Sequence, residues 1–325
     1  MISIQYLLLV MAFSFLATLL AVPLVKRLAI RCKAMDKPNA RKVHVHPIPL
    51  WGGLGMFFGF GITMLMVFRH LVVFQTALTP AQMTHIQGIM WASIGIIIVG
   101  LIDDRWGMPA KVKLACQLVL GCLLIAYDIK IDHITLPHFG IVNFPTWFTW
   151  AATLFWIAGI TNALNLLDGL DGLLAGVSLT TALVFLVVSL FNGQVITAVV
   201  MAALAGSMLG FLRYNFNPAQ IFMGDTGSLF LGLTFASWSI VGLMKSTATL
   251  AFFVPVFMMA VPIFDTAAAI VRRLLAGRPI FQADKEHLHH RLLRMGYTQR
   301  QVVLLIYCIN TVFGLIGLAL FYFTR

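Results

Sequence analysis

Charge is what this chain has least of. Only 10% of its 325 residues are charged, and Asp and Glu together number 11. With 60% hydrophobic residues and a mean hydropathy of +0.95, that scarcity excludes a soluble domain of this length. It indicates a multi-spanning membrane protein. Cysteine is sparse as well: Cys32, Cys116, Cys122 and Cys308. None forms a C-x-x-C pair and three lie in apolar runs, which argues against a disulfide framework or a zinc ribbon. No internal repeat or low-complexity linker appears, so residues 1–325 are expected to form a single domain. A Ser-His-Asp ordering, a P-loop and a G-x-G-x-x-G motif are missing too. The net charge of +11 would suit nucleic acid in a soluble chain. In a membrane chain no nucleic-acid partner is expected, and the question becomes which side the basic residues occupy.

The fold class expected is an all-α polytopic membrane protein with ten apolar spans. They run over about 3–25, 51–68, 87–102, 113–127, 147–164, 172–191, 195–212, 228–244, 249–271 and 302–322, most of them near the ~20 residues that cross a bilayer. The first run lacks a basic stretch before it and is followed by Lys26 and Arg27. It reads as a retained span with its start outside. The inner loops are then 26–50, 103–112, 165–171, 213–227 and 272–301. Of the 22 lysines and arginines, all but Arg69, Lys130, Lys245 and Arg325 fall on or beside them. That bias fixes the orientation. The acids share the inner side, only Asp128 and Asp132 lying outside. The outer loop 128–146 alternates apolar and polar residues around a glycine and predicts a small β-hairpin.

The chemistry sits at the inner ends of the spans. Asn215–Ser228 reads N-F-N-P-A-Q-I-F-M-G-D-T-G-S, with Asp225 between Gly224 and Gly227. A helix starting at Thr226 or Gly227 would aim free N–H groups at whatever Asp225 holds. We read that as a divalent metal carrying a diphosphate; the alternative is a plain N-cap. Asp103 and Asp104 end the third span. Adjacent carboxylates there suit a general base and a second acid that holds its geometry, or else two solvated acids. Asn165, Asp168 and Asp171, in N-L-L-D-G-L-D-G, are spaced to share one helix face, with glycines that let a ligand or another backbone approach; the alternative is a helix C-terminus with an Asx turn, which would explain the glycines. His287, His289 and His290, beside Arg291, suit a pocket for phosphate oxygens rather than the H-E-x-x-H zinc spacing. Lys42 and His44 are pocket candidates, with anionic-lipid contact as the alternative. Asp265 lies inside the ninth span, where a charge needs a partner, and a basic group of an inner loop is the expected one.

Five motifs in order carry a resemblance: R-K-V-H-x-x-P-I-P-x-x-G-G, D-D-R-x-G-x-P-A-K-x-K, N-x-x-D-G-x-D-G, F-M-G-D-T-G-S and A-D-K-x-H-L-H-H-R-L. Over nearly its whole length the chain resembles the polyprenyl-phosphate N-acetylhexosamine-1-phosphate transferases, and within them the bacterial undecaprenyl-phosphate N-acetylglucosamine-1-phosphate branch. The resemblance implies transfer of N-acetylglucosamine 1-phosphate from UDP-GlcNAc to undecaprenyl phosphate. The products are undecaprenyl-diphosphate-GlcNAc and UMP, the first membrane step of a cell-envelope polysaccharide such as lipopolysaccharide O-antigen or teichoic acid. It implies an active site facing the cytoplasm from the bacterial inner membrane, and it is compatible with a homodimer. Asp225 matches a Mg²⁺ ligand, with Mn²⁺ as a substitute ion. Asp103 matches the base that deprotonates the lipid phosphate, with Asp104 beside it, and Asp168 joins this catalytic set. Asn165 matches a residue near the metal and diphosphate. Asp171, Asn215 and Phe222 match the nucleoside pocket, and the histidine motif matches a diphosphate- and sugar-binding loop. Lys113, Gly224 and Ser228 complete the substrate-binding set. Direct attack by the lipid phosphate is the preferred mechanism, with a covalent aspartyl intermediate as the alternative. The His-Leu-His-His pattern followed by Arg291 favours a plain N-acetylhexosamine over a muramoyl-pentapeptide. The rivals from other classes are a secondary transporter and a zinc-dependent membrane hydrolase.

Overall fold

A computed structural model describes residues 3–38, 46–70, 78–136, 140–244, 253–277 and 286–324. Lys42 and His44 lie outside the described residues. The apolar runs form helices, two of which start where the sequence supplies a side-chain cap. Helix α1 (Ile4–Arg31) begins after Ser3, whose hydroxyl accepts the Tyr6 N–H. Two short strands, β1 (Met35–Asp36) and β2 (Ile48–Pro49), pair antiparallel before α2 (Gly52–His70). Helix α3 (Pro80–Trp106) has a complete capping box between Thr79 and Gln82, with proline in its first turn. That cap explains why it starts earlier than the apolar run at 87. Helix α4 is Ala110–Ala126. Strands β3 (His133–Leu136) and β4 (Gly140–Asn143) then pair antiparallel, so the expected hairpin segment does form strands.

Helices α5 (Thr146–Leu167), α6 (Leu173–Phe191) and α7 (Val195–Asn215) follow. Helix α8 (Gly224–Ser239) runs into a π-helical turn, Ile240–Met244. The expected ninth span is broken into α9 (Phe253–Met258) and α10 (Ala260–Leu275), the break falling at Met259, with Pro262 three residues later in the new first turn. The short α11 (Leu288–Arg294) and the long α12 (Gln299–Thr324) complete the chain.

Among the described residues, seven helices are long and apolar enough to cross a membrane: α1, α2, α3, α5, α6, α7 and α12. The other expected spans fall on shorter helices, of 17 residues for α4 and 16 each for α8 and α10. The core lies around α7 and α8. Helix α7 packs between α1, α2 and α6, and its small residues bring the backbones close. A Cβ on Gly206 would lie 2.1 Å from the Met11 carbonyl oxygen. In α8 every residue from Thr226 to Ser239 is buried, enclosed by α2, α3 and α5. Among the described residues, the most enclosed helix is therefore the one whose first turn carries Asp225.

Candidate active site

Helix α8 starts at Gly224, slightly before the expected Thr226, and Asp225 does not cap it. The cap comes from another helix. Asp104, in the last turn of α3, accepts the Asp225 N–H at 2.8 Å through Oδ1, and through Oδ2 the Thr226 N–H at 3.1 Å and the Thr226 hydroxyl at 2.6 Å. These N–H groups are the ones a helix start leaves without intrahelical partners, and a carboxylate is favoured there. The close docking requires Gly224. Its φ is +71°, and a Cβ would stand 2.4 Å from Asp104 Oδ2. Sequence reasoning grouped Asp104 with the catalytic acids; both of its oxygens are instead engaged in positioning the helix that carries Asp225.

Freed from capping, the Asp225 carboxylate faces side chains from two other helices. Its Oδ1 accepts the Asn165 amide at 2.9 Å, and its Oδ2 pairs with Lys113 of α4. Lys113 also pairs with Asp103, whose Oδ1 accepts the Met108 N–H at 2.7 Å. Burial works against the charged form of Asp225. A hydrogen bond with Asp103, the Lys113 ammonium and the Asn165 amide outweigh it and hold this carboxyl below the usual range. Ser228, buried, accepts the other Asn165 hydrogen bond at 2.8 Å. Asn165 and Ser228 thus hold Asp225 in place.

The expected single helix face for Asn165, Asp168 and Asp171 is not formed. Helix α5 ends at Leu167, and Gly172 adopts a left-handed φ of +77°, so both acids lie on the turn into α6. They differ in their company. Asp171 accepts the Asn217 amide and the Ala219 N–H, each at 3.0 Å. Asp168 accepts no hydrogen bond from the described residues. Burial pushes its carboxyl up to about 8, and the charges of Asp225, Asp104 and Asp171 push the same way. Asn215, buried, bridges the same turn to the next loop. Its Oδ1 accepts the Gly172 N–H and its Nδ2 donates to the Ile221 carbonyl, both at 3.0 Å. Phe222 is set by β2: its N–H donates to Pro49 O at 2.8 Å and its carbonyl accepts the Gly52 N–H at 2.9 Å.

The histidine segment approaches from the far side. His287 and His289 are buried, and His289 lies so close to the α5–α6 turn that a Cβ on Gly169 would be 2.5 Å from its Nε2. Burial, with the neighbouring His290 and His287, lowers the His289 pKa to about 3, so it is neutral at pH 7. Arg291 is exposed on α11. The expected partner for Asp265 is found: His287 Nδ1 lies 2.8 Å from its Oδ2.

These elements enclose a cavity of about 430 Å³. Of the expected residues, Asp103, Asp104, Asp168, Asp171, Asn215, Phe222, Gly224, Asp225 and His290 line it. Lys113, Asn165, Ser228, His287 and His289 stand behind that lining, and Arg291 is not part of it. Asp36 and Gln299 line it as well and were not singled out from the sequence. The acids meet at helix ends, unlike the midplane sites on interrupted helices that transporters use.

The donor set also discriminates between ions. Among the described residues, no three His, Cys, Asp or Glu side chains are grouped to hold one metal. A structural or catalytic zinc takes three or four protein ligands, whereas Mg²⁺ is content with one or two carboxylates and fills its shell with phosphate oxygens and water. Asp225, with Asp168, which accepts no hydrogen bond among the described residues, on the same cavity, fits the second pattern. Lys113, paired with two of the acids, already marks this place as one that draws a cation.

The chain is also similar to known proteins. A profile of the family described as "Glycosyl transferase family 4" matches residues 86–243, the stretch from α3 to the end of α8. A probable undecaprenyl-phosphate N-acetylglucosaminyl 1-phosphate transferase of Bacillus subtilis is 39% identical over 94% of this chain and 83% of its own length. A decaprenyl-phosphate N-acetylglucosaminephosphotransferase of Mycobacterium leprae is 39% identical, covering 89% of this chain and 77% of that one. An undecaprenyl-phosphate alpha-N-acetylglucosaminyl 1-phosphate transferase of Yersinia pestis is 29% identical over 94% and 80%. With its motifs gathered on one cavity and its length shared with such relatives, the chain belongs to the polyprenyl-phosphate N-acetylhexosamine-1-phosphate transferase family.

Proposed function

We propose that this protein transfers N-acetylglucosamine 1-phosphate from UDP-GlcNAc to undecaprenyl phosphate, releasing UMP and leaving undecaprenyl-diphosphate-GlcNAc. The observation that carries the reading is the meeting of Asp103, Asp168 and Asp225 on one cavity, with Lys113 between two of them. The two reactants are anions, and carboxylates alone would repel them. A site built from these acids suits them only with a cation present, and a Mg²⁺ held by Asp225, with Asp168 beside it, would neutralise diphosphate charge.

The residues of the chain divide the remaining work. Asp103, held by Met108 and Lys113, takes the proton from the lipid phosphate. The freed phosphate oxygen attacks the sugar-bearing phosphorus, and the bond to the UMP oxygen breaks. Lys113 offsets charge between Asp103 and Asp225, so neither acid confronts the phosphates alone. Asn165 and Ser228 fix Asp225, and Asp104 fixes the helix start behind it. Phe222 offers a ring for the nucleobase next to Asp171 and Asn215, and His290 faces the same space. In this reading the chain crosses the bacterial inner membrane ten times, with the cavity toward the cytoplasm and the β3–β4 hairpin outside. The basic residues concentrated beside the cavity-forming loops support that orientation.

The test is incubation of the purified protein with undecaprenyl phosphate, Mg²⁺ and a panel of UDP-sugars, with mass analysis of the lipid. The expected product is the lipid diphosphate of N-acetylglucosamine together with UMP. A lipid product from another UDP-N-acetylhexosamine alone would reassign the sugar, and no lipid product from any donor would defeat the proposal.

A further inference from the structure

The histidine segment is tied down at a point the reaction itself does not account for. Asp265 lies in α10, away from the cavity lining, with its side chain 8% exposed. His287 Nδ1 lies 2.8 Å from one oxygen of Asp265, and the Leu288 N–H donates to the other at 2.8 Å. An ionised carboxylate only accepts, so the Nδ1 proton of His287 points at Asp265 and the tautomer is set. The segment leading into α11 is tied to α10 again by Arg272, which donates to the Glu286 carbonyl at 3.0 Å. His287 and His289 lie with their ring planes 4° apart and centroids 5.9 Å apart. His289 in turn abuts Gly169, next to Asp168. A continuous path of contacts therefore runs from Asp265 through two imidazoles to the turn that carries an acid of the cavity.

We propose that Asp265 is a positioning residue for sugar-nucleotide binding: it anchors His287, and through the stacked His289 it sets the seat of the donor diphosphate beside Asp168. This rests on the transferase reading given above. Its work is done through His287, so removing the carboxylate and removing the imidazole should interrupt the same path. Contacting residues of this kind are non-additive when both are changed.

The experiment compares wild type, Asp265→Asn, His287→Ala and the double variant, each purified intact in detergent, with kcat and both KM values measured. Asp265→Asn is expected to lower kcat/KM for UDP-GlcNAc about ten-fold, the scale of one lost hydrogen bond to a charged group, with the KM for undecaprenyl phosphate unchanged. The double variant is expected to be no worse than His287→Ala alone. A purely structural role would instead move both KM values together, and that result overturns the proposal. Unchanged kinetics in Asp265→Asn overturns it too, while wild-type turnover leaves the transferase reading standing. If wild type makes no lipid-linked sugar, the transferase reading falls and the role of Asp265 falls with it. Where Asp265→Asn yields no folded protein, Asp265→Ser, which also removes the carboxylate, takes its place in the cycle and the same outcomes decide.

Discussion

The two adjacent acids Asp103 and Asp104 give the sharpest prediction, because the structure gives them different partners. Asp104 accepts three hydrogen bonds, at 2.8, 3.1 and 2.6 Å, from the first turn of α8. Asp104→Ala removes all three hydrogen bonds and leaves two N–H groups at an enclosed helix start without partners. A lost cap costs about 0.5–2 kcal/mol, and an unsatisfied buried donor adds about 1–3. Relief of burying one carboxylate works the other way, so a net loss of about 2–4 kcal/mol is expected. Asp104→Asn keeps one oxygen for Thr226 but turns an amide toward the Asp225 N–H, so about half that loss remains. Thermal unfolding in detergent should show a fall of roughly 4–8 °C for alanine and a smaller one for asparagine. Activity should fall in step with the displacement of Asp225. Asp103→Asn, by contrast, should melt close to wild type while turnover collapses. An Asp104→Ala protein with the wild-type melting temperature and no activity would refute the capping role and return Asp104 to the chemistry.

The remaining predictions concern charge and orientation. Asp168 has its carboxyl raised to about 8 in the folded protein, mainly by burial. The folded state then holds a proton that the unfolded state has lost, so in a chelator stability falls as pH rises from about 4 to 8. Asp168→Asn should remove that slope and melt higher than wild type at pH 8 in EDTA, with little difference near pH 4. Equal slopes in the two proteins would show that Asp168 does not carry the effect. Single cysteines at Arg105 and Arg294, in a background lacking Cys32, Cys116, Cys122 and Cys308, should react with impermeant maleimide only from the cytoplasmic side. Labelling of intact cells from outside would reverse the proposed topology.

Much of this arrangement was legible in the sequence, and the reasons are specific. Apolar runs marked the long helices because length and composition decide membrane crossing. The gathering of motifs at one set of helix ends foretold the cavity, and the cost of a charge inside a span foretold a partner for Asp265. Roles within the cavity were less legible. Asp103 and Asp104 look alike in sequence, but successive residues on a helix point about 100° apart, so one meets Lys113 and the other meets α8. The shared face of Asn165, Asp168 and Asp171 assumed a helix that in fact ends at Leu167. The only local signal was Gly172, whose left-handed backbone closes the turn. Asp36 and Gln299 come from a two-residue strand and from the start of the last long helix. Tertiary docking alone brings them to the cavity, and no spacing could have shown it.

The account turns on one cation seated at Asp225 between two anionic reactants. Electron paramagnetic resonance of Mn²⁺ titrated into the purified protein reads that seat directly. One bound ion per chain is expected in wild type, held more tightly when UDP-GlcNAc is present, and none of this site in Asp225→Asn. Mn²⁺ binding of the same stoichiometry and affinity in Asp225→Asn would contradict the assignment.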